Sequence, residues 1–196
     1  MYGTRIVIAD ADAAYRRSLR EAFRHADYFV VGEAADARSM LQMVFQADPH
    51  VVVMDPRIPG SEGIDLIGII DDHRVAPVVA IVSHLQSEIG EIVRLPGVYG
   101  ILLKPLHDMM VQPVIESALA NFDRARSLEK EINEIRRELE NRKLVERAKG
   151  VLMDRKKISE KEAHKYLQKI SMDKCIPIAR VARDVLVYYQ RHSGKI

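Results

Sequence analysis

Between residues 5 and 123, five short apolar runs alternate with amphipathic segments, and this alternation limits the fold more than any other feature. The runs are Arg5 to Ala9, Phe29 to Gly32, Val51 to Met54, Val78 to Val82 and Gly100 to Leu103. Helical patterns fall near 13 to 25, 36 to 46, 62 to 71 and 85 to 95, and a further helix begins near Asp108. Brief Val- and Ile-rich runs, buried on both faces and separated by helices, predict a parallel sheet in an α/β domain. In open sheets of this kind ligands sit beyond the carboxyl ends of the strands. Pro113 lies inside the last helical pattern, which predicts a late start or a kink there.

The candidate polar groups of this region all sit at strand carboxyl ends: Asp10 and Asp12, Asp55, Ser83 and Lys104. Singly each has an ordinary explanation, such as a helix cap for Asp10, a loop start for Ser83 or a solvated Lys104. A parallel sheet brings all of them to one edge, and the ordinary explanations then become improbable in combination. The segment "VVVMDPRIPGSEGIDL" resembles the phosphoacceptor segment of two-component response-regulator receiver domains, and "VSHL" and "LLKP" resemble their two later motifs. The resemblance covers about residues 4 to 121. It implies a five-stranded, doubly wound, flavodoxin-like fold in which Asp55 accepts a phosphoryl group from a histidine kinase or a small phosphodonor. It also implies that Ser83 contacts a phosphoryl oxygen, that Lys104 pairs with the charge, and that Asp10, Asp55 and the Arg57 backbone carbonyl hold Mg²⁺. The chemistry is coherent, since a carboxylate attacking a phosphoryl group needs positive charge to cancel their repulsion.

Two positions depart from the family pattern. Receivers usually carry two adjacent acids after the first strand, whereas "VIADADAAYR" places Asp10 at the first position and Ala11 at the second, the usual direct metal ligand. Asp12, one residue further along, is a weaker candidate ligand because that position more often faces the following helix. Loss of a carboxylate near a cation forfeits about 1 to 4 kcal/mol, roughly tenfold or more in affinity. The position three residues before Lys104, usually aromatic, is Ile101, while nearby Tyr99 alternates differently along the strand. Control by phosphorylation and control by a sensor protein that grips a degenerate receiver both fit this pattern.

Past the last cycle the character of the chain changes. Leu128, Ile132, Ile135 and Leu139 recur at spacings of 4, 3 and 4 among charged residues, a short heptad seam that most simply pairs with a second copy. Three further helical patterns follow. The first aligns Leu144, Ala148, Val151 and Leu152; the second opens with the capping box Ser159–Glu162 and is expected to bury Ala163, Tyr166, Leu167 and Ile170. The third, with Pro177 at its first helical position, buries Ile178, Val181, Ala182, Val185 and Tyr189. The chain is expected to divide into a receiver-like domain (1–121), a coiled-coil linker helix (122–142) and a C-terminal three-helix bundle (143–196).

Charge follows the same division. Residues 1 to 123 hold 10 Lys+Arg against 17 Asp+Glu, a net of −7, and residues 124 to 196 hold 20 against 11, a net of +9. A basic segment joined to an acidic one points to nucleic acid. The start of the chain carries no signal-peptide pattern and no run reaches the roughly 20 apolar residues of a membrane span, so a cytosolic protein is expected. The single Cys175 has no internal disulfide partner and no metal-ligand spacing with the histidines.

The segment "VERAKGVLMDRKKISEKEAHKYLQKISMDKCIPIARVARDVL" resembles the ANTAR domain, an RNA-binding module of bacterial transcription antiterminators. The resemblance implies that a dimer captures paired hairpins in a leader transcript and keeps a terminator from forming. Arg147, Lys149, Gly150, Lys156, Lys157, Lys174 and Arg180 are the candidates for phosphate or loop contacts, Gly150 because a helical glycine costs about 1 kcal/mol relative to alanine and invites close approach of RNA or another helix. The competing class is a DNA-binding response regulator, against which stands the lack of a tight Gly-containing turn between residues 170 and 178. A metabolic enzyme is the least favoured class, because no cofactor fingerprint accompanies the acidic cluster.

Overall fold

The computed structural model describes residues 3–60, 63–83 and 89–192, without the side chains of 63–65 and 192. The chain forms two compact units, Met1–Arg126 and Ser127–Ile196.

The first unit is built on β1 (Arg5–Ala9), α1 (Ala13–His25), β2 (Phe29–Ala34), α2 (Ala37–Ala47), β3 (Val51–Met54), α3 (Gly63–Asp72), β4 (Val78–Ser83), α4 (Ile89–Ile92) and β5 (Val98–Lys104), closed by the start of α5 (Asp108–Lys156). The strands form one parallel sheet in the order β2-β1-β3-β4-β5. Side-chain alternation along the strands divides the core into two layers. Ile6, Ile8, Val51, Val53, Val79 and Ile81 pack with Leu19 and Phe23 of α1 and Val111, Ile115 and Ala118 of α5. On the other face Val7, Ala9, Val52 and Met54 pack with Met40 and Val44 of α2 and Leu66, Ile67 and Ile70 of α3. Each such fully buried side chain contributes about 1.5–3 kcal/mol. Helices on both faces make the sheet doubly wound, and its order reverses between β1 and β3, where a crevice opens at the strand carboxyl ends.

The strand boundaries lie close to the five apolar runs. The expected helix over 85 to 95 is described only as Ile89–Ile92, and its first residues, with His84 and Leu85 of "VSHL" and Ser61 and Glu62 of the acceptor segment, lie outside the described residues. Pro113 neither delays nor breaks α5, which starts at Asp108. The bond forfeited to the Met109 carbonyl is outweighed by complete burial of Val111, Ile115 and Ala118 around it. In β5 the register slips at Tyr99, with Val78 opposite Val98 and Val79 opposite Gly100. This irregularity turns Tyr99 towards the α5 side, edge-on to Phe122 at 5.3 Å, and Ile101 towards Ala80, Val82 and Ile92. At Gly100 a Cβ would meet Val114 Cγ1 at 2.9 Å, so the missing side chain lets α5 approach the strand.

In the second unit the end of α5 packs with α6 (Glu160–Asp173) and α7 (Ile178–His192) around Ala148, Leu152, Ala163, Leu167, Val181 and Ala182. Three of these six are alanines, whose small side chains let the helices approach closely. Ser159 and Glu162 complete the expected capping box, with Ser159 Oγ accepting from the Glu162 amide and Glu162 Oε2 accepting from the Ser159 amide. Two expectations are corrected here. Pro177 lies one residue before α7, its carbonyl accepting from the Arg180 and Val181 amides at 2.9 and 3.3 Å. Tyr166 is not buried but 38% exposed, lining a groove with Lys156 Nζ over its ring at 3.9 Å.

Candidate functional site

The crevice between β1 and β3 receives Asp10 from the end of β1 and Asp55 from the end of β3. The Asp10 amide donates to Ala34 and the Asp55 amide to Ala9, so the sheet itself fixes both residues. Lys104 ends β5 beside Ser83 at the end of β4, the two being partners in the strand register. The Lys104 ammonium reaches across the sheet edge to 2.6 Å from Asp10 Oδ2 and 2.6 Å from Asp55 Oδ2. The second oxygens are also engaged, as Asp10 Oδ1 accepts from the Asp12 amide and Asp55 Oδ1 from the Arg57 amide, each at 2.8 Å. Asp10 is only 2% exposed, so its charge depends on these partners. Burial draws the Lys104 pKa down, but hydrogen bonds to Asp10 and Asp55, reinforced by their charges, outweigh it and hold the ammonium above the usual lysine value.

Asp12 takes no part in this cluster. Its Oδ1 accepts from the Ala14 and Tyr15 amides at 2.8 and 3.2 Å, which makes it the N-cap of α1 and commits that oxygen to the helix start. The capping role considered for Asp10 therefore belongs to Asp12. Two neighbours escaped the sequence reading. Arg16 Nη1 donates to the Asp10 and Ala11 carbonyls at 2.5 and 3.1 Å and so pins the loop that carries Ala11. Tyr15 places its ring 4.6 Å from the Lys104 ammonium, while its buried hydroxyl meets no hydrogen-bonding atom among the described residues. Burial pushes the Tyr15 pKa up to about 12, against Lys104 and with help from Asp10 and Asp55. Their only signal is position, one turn into the helix that follows the acidic loop.

Among the described residues no three His, Cys, Asp or Glu side chains gather as a metal site. Magnesium commonly takes only one or two protein carboxylates and keeps its waters, so the pair Asp10 and Asp55 fits it in number and chemistry. The ammonium between those carboxylates is a built-in competitor for the same charge.

The second unit spreads its basic residues unevenly. Arg147, Gly150, Lys156, Lys157, Lys174 and Arg180 are exposed. Lys149 is not: it is 7% exposed, with its ammonium 2.8 Å from Glu146 Oε2 and 2.7 Å from Glu160 Oε1. These hydrogen bonds hold its pKa above the usual value. Lys149 thus ties α5 to α6, and its ammonium is not presented to a phosphate. Nothing lies within 4 Å of a Cβ placed on Gly150, so close approach of another helix is not why glycine stands there. Leu128, Ile132, Ile135 and Leu139 stay 48–57% exposed along α5.

The family model for the response regulator receiver domain matches residues 6–116, and that for the ANTAR domain matches residues 133–186. The chain belongs to the ANTAR-type response regulators. The transcriptional regulatory protein PdtaR of Mycobacterium tuberculosis is 36% identical over 182 residues, 93% of this chain and 89% of that protein. The aliphatic amidase regulator of Pseudomonas aeruginosa is 28% identical over 88 residues, 45% of each chain. Among solved structures, the receiver domain of AraT from Geobacillus stearothermophilus superposes with a TM-score of 0.56 at 20% identity, covering 64% of this chain and 99% of that one. The receiver domain of the NarL regulator of Mycobacterium tuberculosis gives 0.54 at 23%, covering 63% and 98%. These two likenesses bear on the flavodoxin-like fold of the first unit alone. No described helix is long and apolar enough to cross a membrane.

Proposed function

We propose that this regulator binds paired hairpins in leader RNA as a dimer and prevents transcription termination, under control of its receiver. The observation that supports it best is the ANTAR match on one chain with an exposed heptad seam just before it. In this reading residues 1–121 sense, 122–142 pair two copies through Leu128, Ile132, Ile135 and Leu139, and 143–196 bind RNA. Pairing two modest RNA modules raises avidity by about 10²–10⁴ when both hairpins can be reached at once. Arg147, Lys156, Lys157, Lys174 and Arg180, all exposed, would meet phosphates, and Gly150 would admit the RNA backbone. A site on RNA polymerase transcripts puts the protein in the cytoplasm.

For the input, Asp55 is the phosphoacceptor, and a histidine kinase or small phosphodonor the source. Bound Mg²⁺, held by Asp10, Asp55 and the Arg57 carbonyl, would offset the repulsion between Asp55 and the incoming phosphoryl group. Ser83 and Lys104 then engage the phosphoryl oxygens, which requires Lys104 to release its shared hold on the two carboxylates. That release is a discrete change at the sheet edge, of the kind that shifts a population towards paired linker helices. In single-round transcription of a leader carrying two hairpins and a terminator, the protein increases readthrough. Unchanged termination with folded, dimeric protein would reject the reading.

Ala11 and the Lys104 bridge favour a second reading of the input alone: a sensor protein holds the receiver and Asp55 is never phosphorylated. Stoichiometric co-purification with that sensor, undiminished in Asp55→Asn, is its signature.

A further inference from the structure

We infer that the groove between α5, α6 and α7 receives one unpaired RNA base bearing an exocyclic amine, stacked on Tyr188 and hydrogen-bonded to Asp184. This rests on the RNA-binding reading and deepens it by naming what enters. The groove encloses about 510 Å³ over an apolar floor that includes Leu152 and Val181, with Lys156 and Lys174 on its wall. Tyr166 and Tyr188 line it while remaining 38% and 56% exposed, unusual for aromatic rings beside an available core. Tyr188 meets Tyr189 edge-on at 5.2 Å, and Tyr189 packs into the helix core, which limits the motion of the exposed ring. Lys156 Nζ lies over the Tyr166 ring at 3.9 Å, which sets an exposed cation beside an aromatic surface.

Aromatic faces flanked by ammonium groups suit single-stranded RNA, whose unstacked bases lie on the rings while its phosphates meet the cations. Asp184 decides which part enters. A carboxylate in the groove repels a phosphate but accepts from an amine, so the base goes inward and the backbone stays with Lys156 and Lys174. Adenine, cytosine and guanine carry such an amine; uracil presents a carbonyl in its place. The signal was hidden in the sequence because Tyr166 falls on the face that the helical period assigns to the core.

The test uses the full chain and two fluorescein-labelled RNA hairpins sharing one stem, with loops of adenines or of uracils, followed by anisotropy. The wild type binds the adenine loop about fivefold or more tighter than the uracil loop. Tyr188→Ala weakens adenine-loop binding by about 5- to 150-fold, Tyr188→Phe retains it, and Asp184→Asn narrows the difference between the loops. Circular dichroism verifies that each variant is folded. Equal affinity of wild type and Tyr188→Ala for the adenine loop, or equal wild-type affinity for both loops, overturns the inference and leaves RNA binding standing. Failure of the folded wild type to bind either hairpin, or any two-hairpin RNA, overturns the RNA-binding reading itself and this inference with it.

Discussion

Lys104 Nζ lies 2.6 Å from Asp55 Oδ2 while also 2.6 Å from Asp10 Oδ2, so a single ammonium serves two largely buried carboxylates. Lys104→Ala leaves both unpaired and is expected to cost about 2–4 kcal/mol in urea denaturation, somewhat under the range for a fully buried pair because Lys104 keeps partial access to water. Its raised folded pKa gives a contribution fully present below about 10.5 and lost as pH rises through the folded value. With the competing ammonium gone, Mg²⁺ should raise the Tm of Lys104→Ala more than that of the wild type. Equal shifts would mean that the ammonium does not compete for the site.

The heptad residues supply the test of assembly. Ile132→Asp combined with Leu139→Asp places two charges on the seam and should leave monomers at every concentration accessible to sedimentation. Dimers that persist would move the interface elsewhere.

Much of the first unit was legible because its signals are local. Each strand of the parallel sheet is a run buried on both faces, and that composition is visible without knowing its neighbours. Asp55 and Lys104 could be read for the same reason, as polar groups ending such runs. What was not legible depends on distant partners. The burial of Lys149 requires Glu160, eleven positions away on another helix. Asp12 was already the weaker candidate for facing α1, but its exact role as the helix N-cap depends on the Ala14 and Tyr15 amides. Tyr99 and Ile101 do face differently, as expected, but the cause, a register slip in β5 against β4, is set by the neighbouring strand and is not visible in the sequence. The helix start at Asp108, ahead of Pro113, was not legible either, since the packing that carries α5 through the proline lies on strands far along the chain.

Lys149 and Gly150 are adjacent but should respond in opposite ways. Lys149→Ala removes the partner of Glu146 and Glu160, so its effect should register in the melting of the second unit before it registers in RNA affinity. Gly150→Ala enters open space and removes a helical glycine, which should stabilise the unit by about 1 kcal/mol. If the RNA backbone approaches there, the same variant binds a hairpin more weakly despite the firmer fold. Affinity unchanged in Gly150→Ala would remove this position from the interface.

The start of α6 should be acid-sensitive. The Lys149 ammonium holds Glu160 below its ordinary value of 4.5, and the Ser159 hydrogen bonds do the same for Glu162. Stability from lowered carboxylate pKa values is present above about 4.5 and lost as pH falls through the folded values. Far-UV circular dichroism during an acid titration should therefore show less loss of helix for Glu160→Gln with Glu162→Gln than for the wild type, relative to each protein at neutral pH. Parallel curves would assign the acid response to other groups.

Receiver input and paired RNA capture can be tested together in one binding experiment. Full-length protein is titrated onto a two-hairpin leader RNA and a one-hairpin control, with and without Mg²⁺ and acetyl phosphate, beside Asp55→Asn. The predicted result is a preference for two hairpins of about a hundredfold or more, strengthened by the phosphodonor in the wild type and indifferent to it in Asp55→Asn. Equal affinity for one and two hairpins, unmoved by the phosphodonor in either protein, would contradict the account.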